Sequence, residues 1–231
     1  MESNIFLGAG TDPRGNGHEI HERAFSWDDG ISCAARRRQI RNNLLMDITD
    51  GAIVLFGAPG SVGENNVVAA ISRETLGAIN MVDPIGYYAI VGDKARTDYR
   101  GLLVRNNLID ARGARIHIAV PMGGAPWAPK NKDYWLVGAR VTGNTIIGRA
   151  AAYGFVASGV EDFVVTNNTS SASYSGIGEG TNPAKPPDNP GPFLYTPAGV
   201  RHCTLQDEFV ASQRHLMHLL RCNHGPTNAL A

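Results

Sequence analysis

This sequence lacks a surplus of either charge: Lys plus Arg and Asp plus Glu both number 21, so the formal net charge is zero. Proteins that grip nucleic acid or acidic lipid concentrate excess basic charge, so no polyanion partner is expected. The run Arg36-Arg37-Arg38 is the one basic cluster, and it reads as a solvated turn. Cysteine is scarce. Cys33, Cys203 and Cys222 cannot all pair, and their spacing fits neither a disulfide framework nor a zinc knuckle. No apolar run approaches the length of a membrane span, so no membrane partner is expected. The start, MESNIFLGAGTDPRGNG, lacks the basic beginning and long apolar centre of a signal peptide. A cytoplasmic protein is the expectation, or a secreted one if a leader has been removed. The stretch GAGTDPRGNG lacks the Lys-Ser/Thr ending of a phosphate loop, and no Gly-x-Ser-x-Gly elbow supports a serine hydrolase.

What the chain does have is a recurring pair of phrases. An asparagine phrase appears as IRNNLL, GENNVV, VRNNLI, VTGNTI and VTNNTS, with its final asparagine at Asn43, Asn66, Asn107, Asn144 and Asn168. An aliphatic phrase alternates with it: DGISC, DGAIVLF, LGAINMV, GARIHIAV, YGFVAS and SGIGE. The intervals between asparagines are 23, 41, 37 and 24. The two long ones contain DPIGYYAIVGDKARTD and PMGGAPWAPKNKDYW, and without these insertions the period is about 22 to 26, the range of a solenoid. Short, β-branched, Gly-bounded phrases exclude helical repeats.

The expected fold is therefore all-β: a right-handed parallel β-helix of about six coils, with two or three strands per coil stacked on their equivalents. Its inward columns would be Ile31, Ile53, Ile79, Ile116 and Phe155, and beside it Cys33, Leu55, Met81, Ile118 and Ala157. Leu45, Val68, Ile109 and Ile146 would form another. The asparagines would sit at a bend, each amide accepting from one coil and donating to the next. Asn167-Asn168-Thr169 also matches a glycosylation sequon, but ladder membership explains it better.

The β-helix is expected over residues 1–180, with lid insertions at 84–98 and 121–135. Residues 181–231 would then hold the Pro/Gly-rich connector GTNPAKPPDNPGP, a last strand at VRHCTL and a capping helix in DEFVASQRHLMHLLRC. That helix would begin near Asp207 and present Phe209, Val210, Leu216, Met217 and Leu220 to the open end of the stack. His215, His218, Cys222 and His224 read as its surface, so no metal site is expected.

These coil phrases resemble the pectin-lyase-like β-helix superfamily, in particular its repeat-rich fungal and bacterial members, over about residues 16 to 180. The resemblance implies polysaccharide lyases, glycoside hydrolases, esterases and epimerases, with chemistry on the outer face of one parallel sheet. Polygalacturonases use a paired-Asp phrase, a Gly-His-Gly phrase and an Arg-Ile-Lys phrase. Asp28-Asp29-Gly30 is similar to the first, Asp50-Gly51-Ala52 stands where the second would be, and Arg115-Ile116-His117 carries His in place of the final Lys. One phrase in three does not support a pectin hydrolase. Fold alone assigns no function.

Strict alternation would give three outer columns: Gly30, Ala52, Ala78, Arg115 and Gly154; then Ser32, Val54, Asn80, His117 and Val156; then Ala34, Phe56, Val82, Ala119 and Ser158. Val54, Phe56, Val82 and Val156 make an apolar stripe that needs a cover. The insertions, with Tyr87, Tyr88, Trp127, Tyr134 and Trp135, would supply it and close a pocket. There His117 would move a proton and Arg115 would hold developing negative charge. Asn80 would lie about 4.8 Å from His117, and the stacked Asp28 and Asp50 would raise one carboxyl pKa toward a general-acid role. Phe56, Val54, Val82, Asp83, Tyr87, Trp127 and Trp135 would line the substrate.

The expected activity is a cofactor-independent acid–base elimination, isomerisation or cyclisation of a compact, partly apolar small molecule. Two alternatives stay open. One is a carbohydrate lyase or glycoside hydrolase acting on a sugar-like substrate. The other is a non-enzymatic binding or assembly module whose apolar stripe is buried in a homo-oligomer.

Overall fold

The computed structural model describes residues 1–10, 28–82, 96–126, 134–176 and 190–211, with no side-chain account of 210 and 211. Within them the chain winds through four all-parallel sheets, three of six strands and one of four. Sheet I stacks Ile31–Cys33, Gly51–Leu55, Thr75–Met81, Ile116–Met122, Ala151–Ala157 and Phe193–Tyr195. Sheet II stacks Arg96–Asp98, Trp135–Val137, Val160–Glu161 and Val200–Arg201. Sheet III runs from Gln39–Arg41 through Val62–Glu64, Leu103–Arg105, Arg140–Thr142 and Val164–Thr166 to Thr204–Leu205. Sheet IV begins with Ile5–Leu7 and continues through Leu44–Met46, Val67–Ala69, Leu108–Ala111, Thr145–Gly148 and Thr169–Ser170. This is an all-β parallel β-helix.

The doubled asparagine has two separate causes, both at the corner between sheets III and IV. Its first member takes a left-handed backbone: Asn42, Asn65, Asn106 and Asn167 have φ between 54° and 58°, and Gly143 stands there in the fourth coil. Asparagine and glycine tolerate that region best. The second member forms the ladder. The Nδ2 of Asn43, Asn66, Asn107 and Asn144 donates to Oδ1 of the next rung at 2.9, 3.0, 2.8 and 2.9 Å. Each acceptor also takes the backbone N–H of the preceding rung, as Asn66 does to Asn107 at 2.9 Å. The other Nδ2 hydrogen returns to a carbonyl of the coil before, Asn107 to Gly63 at 3.0 Å. Every amide is thus fully satisfied where water cannot reach. Asn4 adds a rung at one end and Gln206 closes the other.

The column Leu45, Val68, Ile109 and Ile146 stacks in register and is buried, with Phe6 before it. In sheet I, Ile31, Ile53 and Ile79 also stack, but the fourth coil differs from expectation. Ile116 lies opposite Thr75 and Ile118 opposite Gly77, so Met122 is the residue opposite Met81, and Val120 takes the place beside Phe155. The phrase Gly-Ala recurs at 77–78 and 113–114, and aligning the two misplaces the coil. The strand actually begins after a turn in which Gly113 and Ala114 both donate to the Ala70 carbonyl at 3.1 Å.

The stack continues past the connector. Phe193 stacks on Phe155 with centroids 5.3 Å apart, and Phe209 meets Phe193 edge-on at 5.2 Å. VRHCTL forms two short strands around a corner, with left-handed His202 between them. The helix spans Asp207–Ala211, so the cap rests on the buried Phe209. Leu216, Met217, Leu220 and the His/Cys group after them lie outside the described residues.

Asp47 pins the turn of the next coil: Oδ1 accepts from the N–H of Ile71 (2.7 Å), Ser72 (2.9 Å) and Arg73 (3.2 Å), and Oδ2 from the Ser72 hydroxyl (2.7 Å). Partial burial pushes this carboxyl up, but the Ser72 hydroxyl and the three N–H groups outweigh it and hold its pKa below the usual value. A depressed carboxylate stabilises fully above its unfolded pKa and loses that contribution as pH falls through the folded value. Asp47→Asn should cost about 1–2 kcal/mol at neutral pH in urea denaturation, and the gap to wild type should shrink below the ordinary carboxylate range. Asn107→Ala should cost about 3 kcal/mol or more by stranding buried donors and acceptors, whereas Asn106→Gly should be within about 1 kcal/mol of wild type. Equal losses at the two positions would refute the division of labour.

Candidate functional site

Strict alternation fails in sheet I, and the failure shapes its outer face. Ala52 and Ile53 both belong to the core, as do Ala78 and Ile79, and Ala119 and Val120. The residues three apart that flank each pair therefore share the outer side. A Cβ at Gly51 would lie 2.2 Å from Val54 Cγ2, and one at Gly77 would lie 1.7 Å from Asn80 Oδ1. The expected outer column Gly30, Ala52, Ala78 is thus an inner one: a Cβ at Gly30 would meet Leu45 Cδ2 at 2.8 Å. Its fourth-coil member is Ala119, not Arg115. The true neighbour of Asn80 in the next outer column is Pro121, which is paired with Val156.

His117 moves with this correction. It lies opposite Leu76, in the row that Asp50 and Asp28 begin, not beside Asn80. Asp28 and Asp50 do stand in register, joined by a 3.3 Å backbone hydrogen bond. His117 is 3% exposed, and its Nε2 lies 2.9 Å from Oε2 of Glu74, a residue no motif had flagged. An ionised carboxylate only accepts, so Nε2 carries the hydrogen. Arg115 Nε stands 4.0 Å from the other oxygen of Glu74, and the Arg115 carbonyl accepts from Thr75 N at 2.9 Å. Glu74 immediately precedes its strand, as Arg115 precedes the next, so parallel stacking brings the two together. The Glu74 side chain is 36% exposed and Arg115 29%, so the two are the accessible members of the group.

The second polar group lies around Asn80. The side-chain-free Gly51 and Gly77 let its amide fold back along the strand toward the row of His117, and a Cβ at Gly51 would sit 2.7 Å from Asn80 Nδ2 and 3.0 Å from Asp29 Oδ1. Asp29, rather than Asp28, is the carboxylate at that spot. Its oxygens accept from Gly51 N (3.0 Å) and the Ser32 hydroxyl (2.5 Å). Asn80 is 5% exposed, and its Oδ1 is buried with no hydrogen-bond partner among the described residues, as is Arg115 Nη1. Buried polar atoms are nearly always satisfied, and each exception calls for a cause.

The remaining wall is apolar. Val54, Ile118, Tyr153, Val156 and Leu194 are all 3% exposed or less, and Phe56 and Val82 are half-buried. Trp135 is not part of this wall: it lies in sheet II with the Arg201 guanidinium 3.6 Å above its ring. Of the expected insertions, Arg96–Asp98 and Pro121–Met122 are strand residues, while Asp83, Tyr87 and Trp127 lie outside the described residues. Among the described residues, no group of His, Cys, Asp and Glu is arranged to hold a metal, and no helix is long and apolar enough to cross a membrane.

The described residues form a parallel β-helix, and one of its sheets carries apolar, amide and charged side chains side by side. No protein family, curated protein or solved structure matches the chain.

The Gly77–Asn80 contact is directly testable. Gly77→Ala should destabilise by about 1–3 kcal/mol because the new methyl overlaps the Asn80 amide. In an Asn80→Ala background the same change should cost less than about half as much, the coupling read from a double-mutant cycle. Additive losses would mean that the two residues do not share that space.

Proposed function

We propose that the outer face of sheet I is the active site of a cofactor-independent acid–base enzyme, catalysing an elimination, isomerisation or cyclisation. The supporting observation is the Glu74–His117–Arg115 group, a part-exposed carboxylate backed by a buried imidazole and an arginine whose buried Nη1 has no partner among the described residues. In this scheme Glu74 takes a proton from carbon next to a carbonyl or carboxylate. The electron pair moves to the oxygen, forming an enolate that Arg115 Nη1 stabilises. The enolate then collapses, either expelling a leaving group from the adjacent carbon, which departs with the proton that Glu74 returns, or taking that proton back at another position. His117 keeps Glu74 oriented through its Nε2–H, and Asn80 Oδ1 accepts a hydrogen bond from the substrate. The apolar wall excludes water and strengthens these interactions.

The pectin-lyase-like resemblance favours a sugar acid as substrate, since a uronate carries an acidic C–H beside its carboxylate and an alkoxy group one carbon further on. The smaller-substrate version rests on the apolar wall. Both share the same proton abstraction, so one measurement serves both. Wild-type protein in deuterium oxide should exchange the α-hydrogen of a turned-over substrate, followed by NMR on a panel of oligouronides and β-hydroxy carbonyl compounds. Glu74→Gln should slow exchange by about 100-fold or more. His117→Ala should lower kcat with little change in KM, as expected of a positioning residue. Exchange unaffected by Glu74→Gln would remove the carboxylate from the mechanism.

A further inference from the structure

A second group of charged residues lies beside Arg96–Asp98, the first strand of sheet II, at the corner leading into sheet III. Three successive coils place Arg36, Pro59 and Arg100 at equivalent positions, followed by Arg37, Gly60 and Gly101, and all three of the latter have a left-handed backbone, φ 56°, 69° and 74°. Glycine occupies that conformation freely, whereas a side chain there costs about 1 kcal/mol. Two coils use glycine and the first uses arginine. The turn that bears it is firmly held: Arg37 N donates to Pro59 O at 3.0 Å, Arg38 N to Ser61 Oγ at 2.9 Å, and Ser61 Oγ to Ala35 O at 3.2 Å.

The missing side chain at Gly60 matters. A Cβ there would stand 3.3 Å from Arg37 Cγ, so the arginine stem lies across bare backbone. The result is a cleft of about 470 Å³ with Pro59 and Gly60 between Arg36 and Arg37 on one side and Asp98 and Arg100 on the other. That volume is in the range of small-molecule sites. Arg100 is engaged by Asp98, Nε to Oδ1 at 2.9 Å and Nη2 to Oδ2 at 3.3 Å. Arg36 and Arg37 have no carboxylate within ion-pair distance among the described residues. Burial pushes Asp98 up, but its bonds to Arg100 and the charges of Arg100 and Arg36 hold it down, so it remains an acceptor.

Two guanidinium groups without an ion-pair partner among the described residues, beside one fixed carboxylate, select a particular chemistry. Guanidinium forks match oxyanions. A bare polyanion would be repelled by Asp98, which instead accepts from a hydroxyl. We infer that this cleft binds a small hydroxylated oxyanion, a sugar acid or a sugar phosphate, with its anionic group on Arg36 and Arg37 and a hydroxyl on Asp98. The site is independent of the outer face of sheet I and of the activity proposed there.

Calorimetric titration of the full chain with glucuronate, glucose 6-phosphate, methyl glucoside and inorganic phosphate tests this. Glucuronate or glucose 6-phosphate should bind at least ten-fold more tightly than inorganic phosphate, and methyl glucoside should not bind. Which of the two binds more tightly identifies carboxylate or phosphate as the anionic group. The decisive variant is Arg37→Gly. It removes the side chain and relieves the left-handed strain, so it should weaken binding at least ten-fold while leaving the thermal midpoint unchanged or higher. Arg36→Ala should weaken binding similarly. Failure of both sugar ligands to bind, binding of inorganic phosphate as tight as theirs, or an Arg37→Gly protein that binds normally would each overturn the assignment.

Discussion

The structure depends on the hydrogen bonding of one amide per coil. At the corner between sheets III and IV the backbone turns while buried, and its N–H groups need acceptors that water cannot supply. The asparagine column supplies them, rung by rung, and fixes coil spacing and register together. A slip of one residue would leave both a side-chain amide and a backbone N–H unsatisfied at every rung, on top of turning the aliphatic columns outward. The apolar core supplies most of the attraction, but the ladder selects which stacking is allowed.

That same rigidity brings residues isolated in the sequence into contact. No local motif brings Glu74, Arg115 and His117 together. Glu74 and Arg115 are the last residues before their strands, and a parallel ladder makes any two such positions neighbours regardless of the chain between them. The cleft formed by Arg36, Arg37 and Arg100 arises in the same way at another corner. Corners and outer faces are where substitutions leave the stack intact, and both groups lie there.

Much of the fold was legible because it repeats. The asparagine phrases gave the period, the parallel stacking and the ladder, and the column from Leu45 to Ile146 is as the spacing implies. The fourth coil was not legible, because Gly113-Ala114 imitates the start of the third-coil phrase and Pro121 reads as a strand end. The bend of sheet I was also hidden. Ala52, Ala78 and Ala119 are small enough to read as outer residues, yet they face the core beside a larger neighbour. The contacts of His117 and Arg115 with Glu74 were not legible, since only the register reveals them. Arg37 carried no visible sign of its left-handed backbone until glycine was seen at the equivalent corners.

The asparagine ladder is also polar. From Asn4 to Gln206 each Nδ2 hydrogen on the shared rung points toward the C-terminal coil and each oxygen toward the N-terminal one, and at the last step Gln206 Nε2 donates to the Glu208 carboxylate at 3.1 Å. The amide dipoles therefore add along the axis, and a carboxylate terminates the electropositive end. The two ends of the rod are chemically unequal. Any body that extended the ladder would have to approach with matching polarity, because like ends brought together would set oxygen against oxygen or hydrogen against hydrogen.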